Sequence, residues 1–133
     1  GECPSVSGRS ILTYAIGRNQ ETGELHLRIV DNSGKGMWFN GWATAKDIES
    51  IVAGATELTA KSFHALHPGK SINTGGFVMA VLRDLGLIRA NEENTRIHEH
   101  VPATTLEKVV MVRVGKTIEP APAKPAKRKG KAV

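Results

Sequence analysis

One cysteine stands in the 133 residues, and it is Cys3. A lone cysteine closes no intrachain disulfide and builds no cysteine-based zinc site, which points to a reducing compartment. Aromatic residues are as scarce, with two Trp, one Tyr and three Phe, so the core must be largely aliphatic. Long hydrophobic runs are missing too. The richest stretches, 77–82 and 109–112, fall far short of the roughly 20 apolar residues that span a bilayer, and no membrane partner is expected. The sequence opens Gly-Glu-Cys-Pro-Ser-Val-Ser-Gly, without a basic and then apolar leader, and reads as cytoplasmic. No internal repeat is visible.

What the chain has in plenty is positive charge in one place. Lys124, Lys127, Arg128, Lys129 and Lys131 face only Glu119 within 119–133, a net of +4 out of +5 for the whole sequence. Residues 1–118 are therefore nearly neutral, at +1, and the pI of about 9.6 describes a tail. A Pro/Ala/Lys segment buries too little apolar surface to offset its ordering entropy, so 119–133 is expected to be an extended, disordered, cationic arm. It resembles a shortened linker-histone tail, which implies DNA binding without sequence preference. Four or five engaged bases would make affinity fall roughly 10²- to 10³-fold between about 50 and 200 mM salt. The same segment also reads as a solubilising spacer or, in a nucleated cell, as an import signal through 127–131.

Periodicity divides the rest. Residues 1–8 read as a flexible leader and 9–118 as one α+β domain: a β-rich part over 9–43, a helical part over 44–101 and a terminal helix or strand over 102–118. Alternation over 10–18 and 24–30, around the turn Asn19-Gln-Glu-Thr-Gly23, predicts a β-hairpin with Leu12, Tyr14, Ile16, Leu25, Leu27 and Ile29 inward. A third strand is expected over 37–43. Thr44 and Asp47 form a cap signature before Ile48, Ile51 and Val52, with Gly54 as the stop. A short helix is expected over 59–66. A clearer one over 74–85 carries Phe77, Val78, Val81, Leu82 and Leu85 on one stripe. A second hairpin follows, with strands over 87–90 and 95–101. After Pro102, Thr104 and Glu107 suit a helix cap, whereas the β-branched run Val109-Val-Met-Val-Arg-Val114 suits a strand equally.

Three helices, the join Leu82-Arg-Asp-Leu-Gly-Leu-Ile-Arg89 and a returning strand resemble a winged helix-turn-helix domain over 44–101. The resemblance implies a third helix entering the major groove and a hairpin wing. It makes Thr74 and Arg83 candidate DNA contacts. The helix holds no base besides Arg83, and the wing tip carries Glu92 and Glu93, so the tail is expected to supply most of the attraction.

Gly34-Lys-Gly-Met-Trp-Phe-Asn-Gly-Trp42 places aromatics beside a basic loop, the pairing that single-strand binders use for stacking and phosphate contact. Lys35 and Trp38 are its candidates, with Arg28 and Tyr14 nearby on the hairpin. The strand-then-helix order also resembles a single-stranded-DNA-binding coactivator fold. Core packing accounts for the same tryptophans. His67-Pro-Gly-Lys-Ser71 lacks the upstream Gly of a nucleotide-binding loop, since position 64 is His, yet Lys70 and Ser71 suit a DNA phosphate. His64 with His67, and His98 with His100, have no acidic or cysteine ligand at diagnostic spacing, and no metal or cofactor is expected. No nucleophile–base arrangement stands out, so no enzyme is expected. The reading is a DNA-binding regulator or accessory protein, working on the nucleoid in a bacterium. The alternatives are a protein-interaction or self-assembly module with an incidental tail, and a single-strand binder using 38–42.

Overall fold

Alternating burial builds the first third of the chain into a sheet. In the computed structural model, which describes residues 1–34, 36–67, 69 and 73–117 (113–117 as backbone), β2 (Ile11–Arg18) pairs antiparallel with β3 (Leu25–Asn32). Of the expected inward residues, Leu12, Tyr14, Leu25, Leu27 and Ile29 are buried, and Ile16 is partly buried against the core. Asn19 closes the turn, its Oδ1 accepting from the amides of Glu21 and Thr22 at 2.8 and 3.0 Å. Gly23 supplies the positive φ of 76° that the turn needs.

Two edges differ from expectation. Residues 2–4 are not a loose leader: Glu2–Pro4 is strand β1, paired with β2, because Cys3 opposite Leu12 adds an apolar side chain to the core. The expected third strand over 37–43 shrinks to β4 (Ala43–Thr44), giving the sheet order β1-β2-β3-β4. Residues 36–42 run instead as an irregular strap. The Trp38 indole Nε1 donates to the Ile29 carbonyl at 3.2 Å, and the Phe39 amide donates to Thr74 Oγ1 at 2.8 Å. The strap thus trades strand pairing for a tie to the following helices.

A β-bulge changes what β3 shows at its far end. Thr13 faces Asp31 but Tyr14 faces Ile29, so Val30 is the extra residue. Strict alternation from Leu25, Leu27 and Ile29 would point Asn32 outward. The bulge restores it to the inside, 7% exposed, and leaves Val30 at the surface.

The helical part follows the expected order. Thr44 caps α1 (Ala45–Val52), its Oγ1 accepting from the Asp47 amide at 3.1 Å, and Gly54 ends the turn at φ 70°. A 3-10 helix spans Ala60–Leu66, and α2 spans Asn73–Leu85. Then β5 (Ile88–Ala90) pairs with β6 (His98–His100). The terminal segment is helical, α3 (Leu106–Thr117), because Leu106, Val109 and Val110 pack inward at helical spacing. Its cap is Thr105, whose Oγ1 accepts from Lys108 N at 3.2 Å, not Thr104. One hydrophobic cluster runs from Cys3 to Val110 and joins the sheet, the helices and the second hairpin. Among the described residues no helix is long and apolar enough to cross a membrane.

Candidate nucleic-acid interface

A cavity of about 790 Å³ opens where the β1–β2 turn, the end of β3, the 3-10 helix and the start of α2 meet. Arg9, Lys61 and His64 stand along it, with the hydroxyls of Ser5, Ser7 and Ser10 and the side chains of Asn32 and Asn73. No carboxylate occurs among its described lining residues. Lys61 and Arg9 are exposed and form no ion pair among the described residues. Arg83 holds the turn from beneath, Nη2 donating to the Ser5 carbonyl at 3.4 Å. The bulge at Val30 is what turns Asn32 into this cavity.

One glycine, Gly75, brings this wall in. A Cβ at Gly75 would lie 2.6 Å from the Ala60 carbonyl oxygen and 2.7 Å from His64 Cδ2, so only glycine lets the 3-10 helix dock so closely on α2. Gly76 faces Ala60 as well, but with ordinary spacing, 3.5 Å to its Cβ. Read along the sequence, Thr74-Gly-Gly offers only Thr74 as a candidate contact. In the fold it sets the distance between Lys61, His64 and the rest of the groove.

The expected contact residues fall into three groups. Lys35, Lys70, Ser71 and the tail bases Lys124, Lys127, Arg128, Lys129 and Lys131 lie outside the described residues. Thr74 is 2% exposed and engaged by Phe39, and Arg83 is half-buried beneath the serine turn, so neither faces a ligand. The α2 face assigned to a major groove is likewise internal. Eight of its residues are buried, and Asn73 is its one exposed position. The reason is that α2 packs on β1, β2 and β3 as well as on the 3-10 helix, β5 and α3. Trp38 is half-buried at the sheet edge, and Tyr14 points into the core.

Trp42 and Arg28 do come together, on the outer face of the sheet. The Arg28 guanidinium carbon lies 4.9 Å from the Trp42 ring centroid, and the His26 ring meets the indole edge-on at 6.2 Å and 86°. The ring tip rests over Gly17, where a Cβ would approach Cη2 to 3.1 Å. Beside it a shallow pocket of about 290 Å³ is walled by Gly17, Arg18, Asn19, His26 and Trp42. Arg18 is already committed, bonded to Glu107 Oε2 at 2.8 Å and to the Gly23 carbonyl at 2.6 Å.

The histidines serve separate ends. His67 packs edge-on against Phe39, with ring centroids 4.7 Å apart. His100 accepts from the Gly54 amide through Nδ1 at 3.0 Å and bonds the Thr104 carbonyl through Nε2 at 2.7 Å. His98 is 1% exposed, with both ring nitrogens lacking a hydrogen-bond partner. Burial, reinforced by the Arg83 charge, lowers its pKa below the ordinary 6.5. Among the described residues no group of three or more His, Cys, Asp or Glu side chains gathers to hold a metal ion. No family model matches the chain, and neither does any curated protein or solved structure.

Proposed function

We propose that the chain is a nucleic-acid-binding accessory protein that holds duplex DNA largely without sequence preference. The observation that carries this reading is the groove of Arg9, Lys61 and His64 with no carboxylate in its described lining, in a chain whose other 119–133 segment is strongly cationic. Phosphates dominate such binding, and a protein contributes by placing unpaired cations where counterions can be released. Lys35 follows Gly34 in sequence, and Lys70 and Ser71 precede Asn73, so further donors adjoin two groove residues along the chain. The tail is assigned the long-range attraction and the groove the seating of the backbone. The order of elements suits the winged-helix comparison, but α2 has no free face, so this reading places DNA at the helix start and not along its side.

Electrophoretic mobility shift of a duplex fragment by the full chain is the test. Arg9→Ala with Lys61→Ala should weaken binding about equally for unrelated sequences and reduce the salt slope by roughly 0.9 per lost phosphate contact. Unchanged affinity in that variant would remove the groove from the account.

A second reading, as an assembly module, draws on Met111 and Val112, neighbours on α3 that are 54% and 58% exposed. Light scattering of Met111→Lys against the unaltered chain distinguishes it, since lost self-association with retained DNA binding favours assembly.

A further inference from the structure

Trp42 stays 47% exposed although Arg28 lies 4.9 Å from its ring centroid. Arg28 lies over the ring, yet Arg28 is not among the walls of the adjoining pocket, which Trp42 does line. The pocket therefore meets Trp42 without meeting Arg28. Its volume is near the lower limit of small-molecule sites, which suits one planar ring and little more. The floor is bare by sequence. Gly17 and Ala15 stand opposite His26 and Arg28 in the β2–β3 register, so no long side chain rises from β2 into the space.

Arg28 adds an unused charge. Its Nε is buried without a hydrogen-bond partner, and among the described residues it joins no ion pair. A buried donor left unsatisfied is costly, and a purely structural arginine on a sheet face ordinarily finds a carboxylate or carbonyl. Of the two carboxylates flanking it along the chain, Glu24 accepts from the Lys46 amide at 3.1 Å, and Asp31 of β3 forms no ion pair among the described residues. What remains is a guanidinium centred 4.9 Å from the indole, whose Nη1 and Nη2 make no hydrogen bond among the described residues and are the donors an anion would meet.

We propose that Trp42, His26 and Arg28 form a stacking site for one unpaired nucleobase, with Arg28 donating to a phosphate flanking that nucleotide. A single nucleic-acid strand carries both parts of this ligand, a π face and an anionic oxygen at close spacing, and stacking there needs no particular base. A base pair inside a duplex keeps both faces covered, so the site discriminates against duplex DNA. The inference rests on the nucleic-acid reading above and adds a single-stranded mode at residues that the duplex groove does not use.

The test uses the full chain carrying Trp38→Phe, so that Trp42 is the remaining fluorophore, titrated at low salt with a short oligothymidylate and with a duplex of equal length. Quenching by the oligothymidylate and not by the duplex is expected. Trp42→Ala should weaken single-strand affinity by roughly 5- to 150-fold, the range for one lost stack, with duplex affinity within about twofold. Trp42→Phe should retain most of the affinity. Arg28→Gln should lower the single-strand salt slope by about 0.7. Duplex binding with Trp42 emission unmoved by the oligothymidylate would overturn this site and leave the broader function standing. Equal losses for both nucleic acids in Trp42→Ala would also overturn it, and no binding of either at low salt would sink both proposals.

Discussion

The Arg28 guanidinium carbon sits 4.9 Å from the Trp42 ring centroid, while its Nε is buried with no hydrogen-bond partner. The contact depends on Gly17, because a Cβ there would come within 3.1 Å of the indole. Gly17→Val is expected to lift the ring off the sheet, seen as a red shift in the Trp42 emission. The stability cost should stay near 1 kcal/mol, since a cation–π contact at a half-exposed ring contributes about 0.5–1 kcal/mol.

Gly75 and Gly76 should respond to alanine with opposite signs. Alanine is favoured over glycine inside a helix by about 0.8–1 kcal/mol. At Gly75 the new methyl would lie 2.6 Å from the Ala60 carbonyl oxygen, and overpacking of that kind costs about 1–3 kcal/mol, so the variant should be destabilised in urea unfolding. At Gly76 the methyl meets ordinary spacing, 3.5 Å, and the propensity gain should survive. Gly75→Ala should also move Lys61 and His64 and so weaken DNA binding.

His98 makes stability depend on pH in a defined direction. The folded protein holds its imidazole neutral through burial and the neighbouring Arg83 charge, with its pKa below the ordinary 6.5. The unfolded chain therefore binds more protons below about pH 6.5, and its contribution to stability is full above that value. It declines as the pH falls from there and levels off beneath the folded pKa. His98→Leu should flatten that part of the stability–pH curve relative to the unaltered chain, because it removes the imidazole that the unfolded chain protonates and the folded protein does not.

His100 is a clasp between the end of α1 and the approach to α3. Accepting from the Gly54 amide leaves Nδ1 without a proton, so the ring is neutral with hydrogen on Nε2, which donates to the Thr104 carbonyl. Nitrogen NMR of the full chain should report that tautomer. His100→Ala should cost about 1–3 kcal/mol, since the Gly54 donor and the Thr104 acceptor both lose a partner.

Most of the scaffold was legible because its signals are local. Alternation marks β2 and β3, Thr44 and Gly54 bracket α1, and the stripe from Phe77 to Leu85 marks α2. The stripe did not reveal that α2 would be covered on nearly every side. That follows from the sheet and the 3-10 helix both packing on it, with Thr74, Gly75, Met79 and Ala80 inside as well. The strap over 36–42 escaped for a similar reason, since its partners Ile29 and Thr74 are remote in sequence. The groove was hidden altogether. Arg9, Asn32, Lys61 and His64 share no motif, and Asn32 joins them through a one-residue bulge that alternation argues against. Trp42 with Arg28 was half visible, as aromatic and cation near one hairpin, whereas the roles of Gly17 and of an unsatisfied Nε appear only in three dimensions.

The most direct measurement is the affinity of the full chain for a duplex DNA fragment across salt, beside a variant with Lys124, Lys127, Arg128, Lys129 and Lys131 changed to Gln. The account predicts linear log–log loss of affinity, roughly 10²- to 10³-fold from about 50 to 200 mM through the tail alone, with a weaker residual slope in the variant from Arg9 and Lys61. No binding at low salt, or an affinity indifferent to both salt and the tail substitutions, would contradict it.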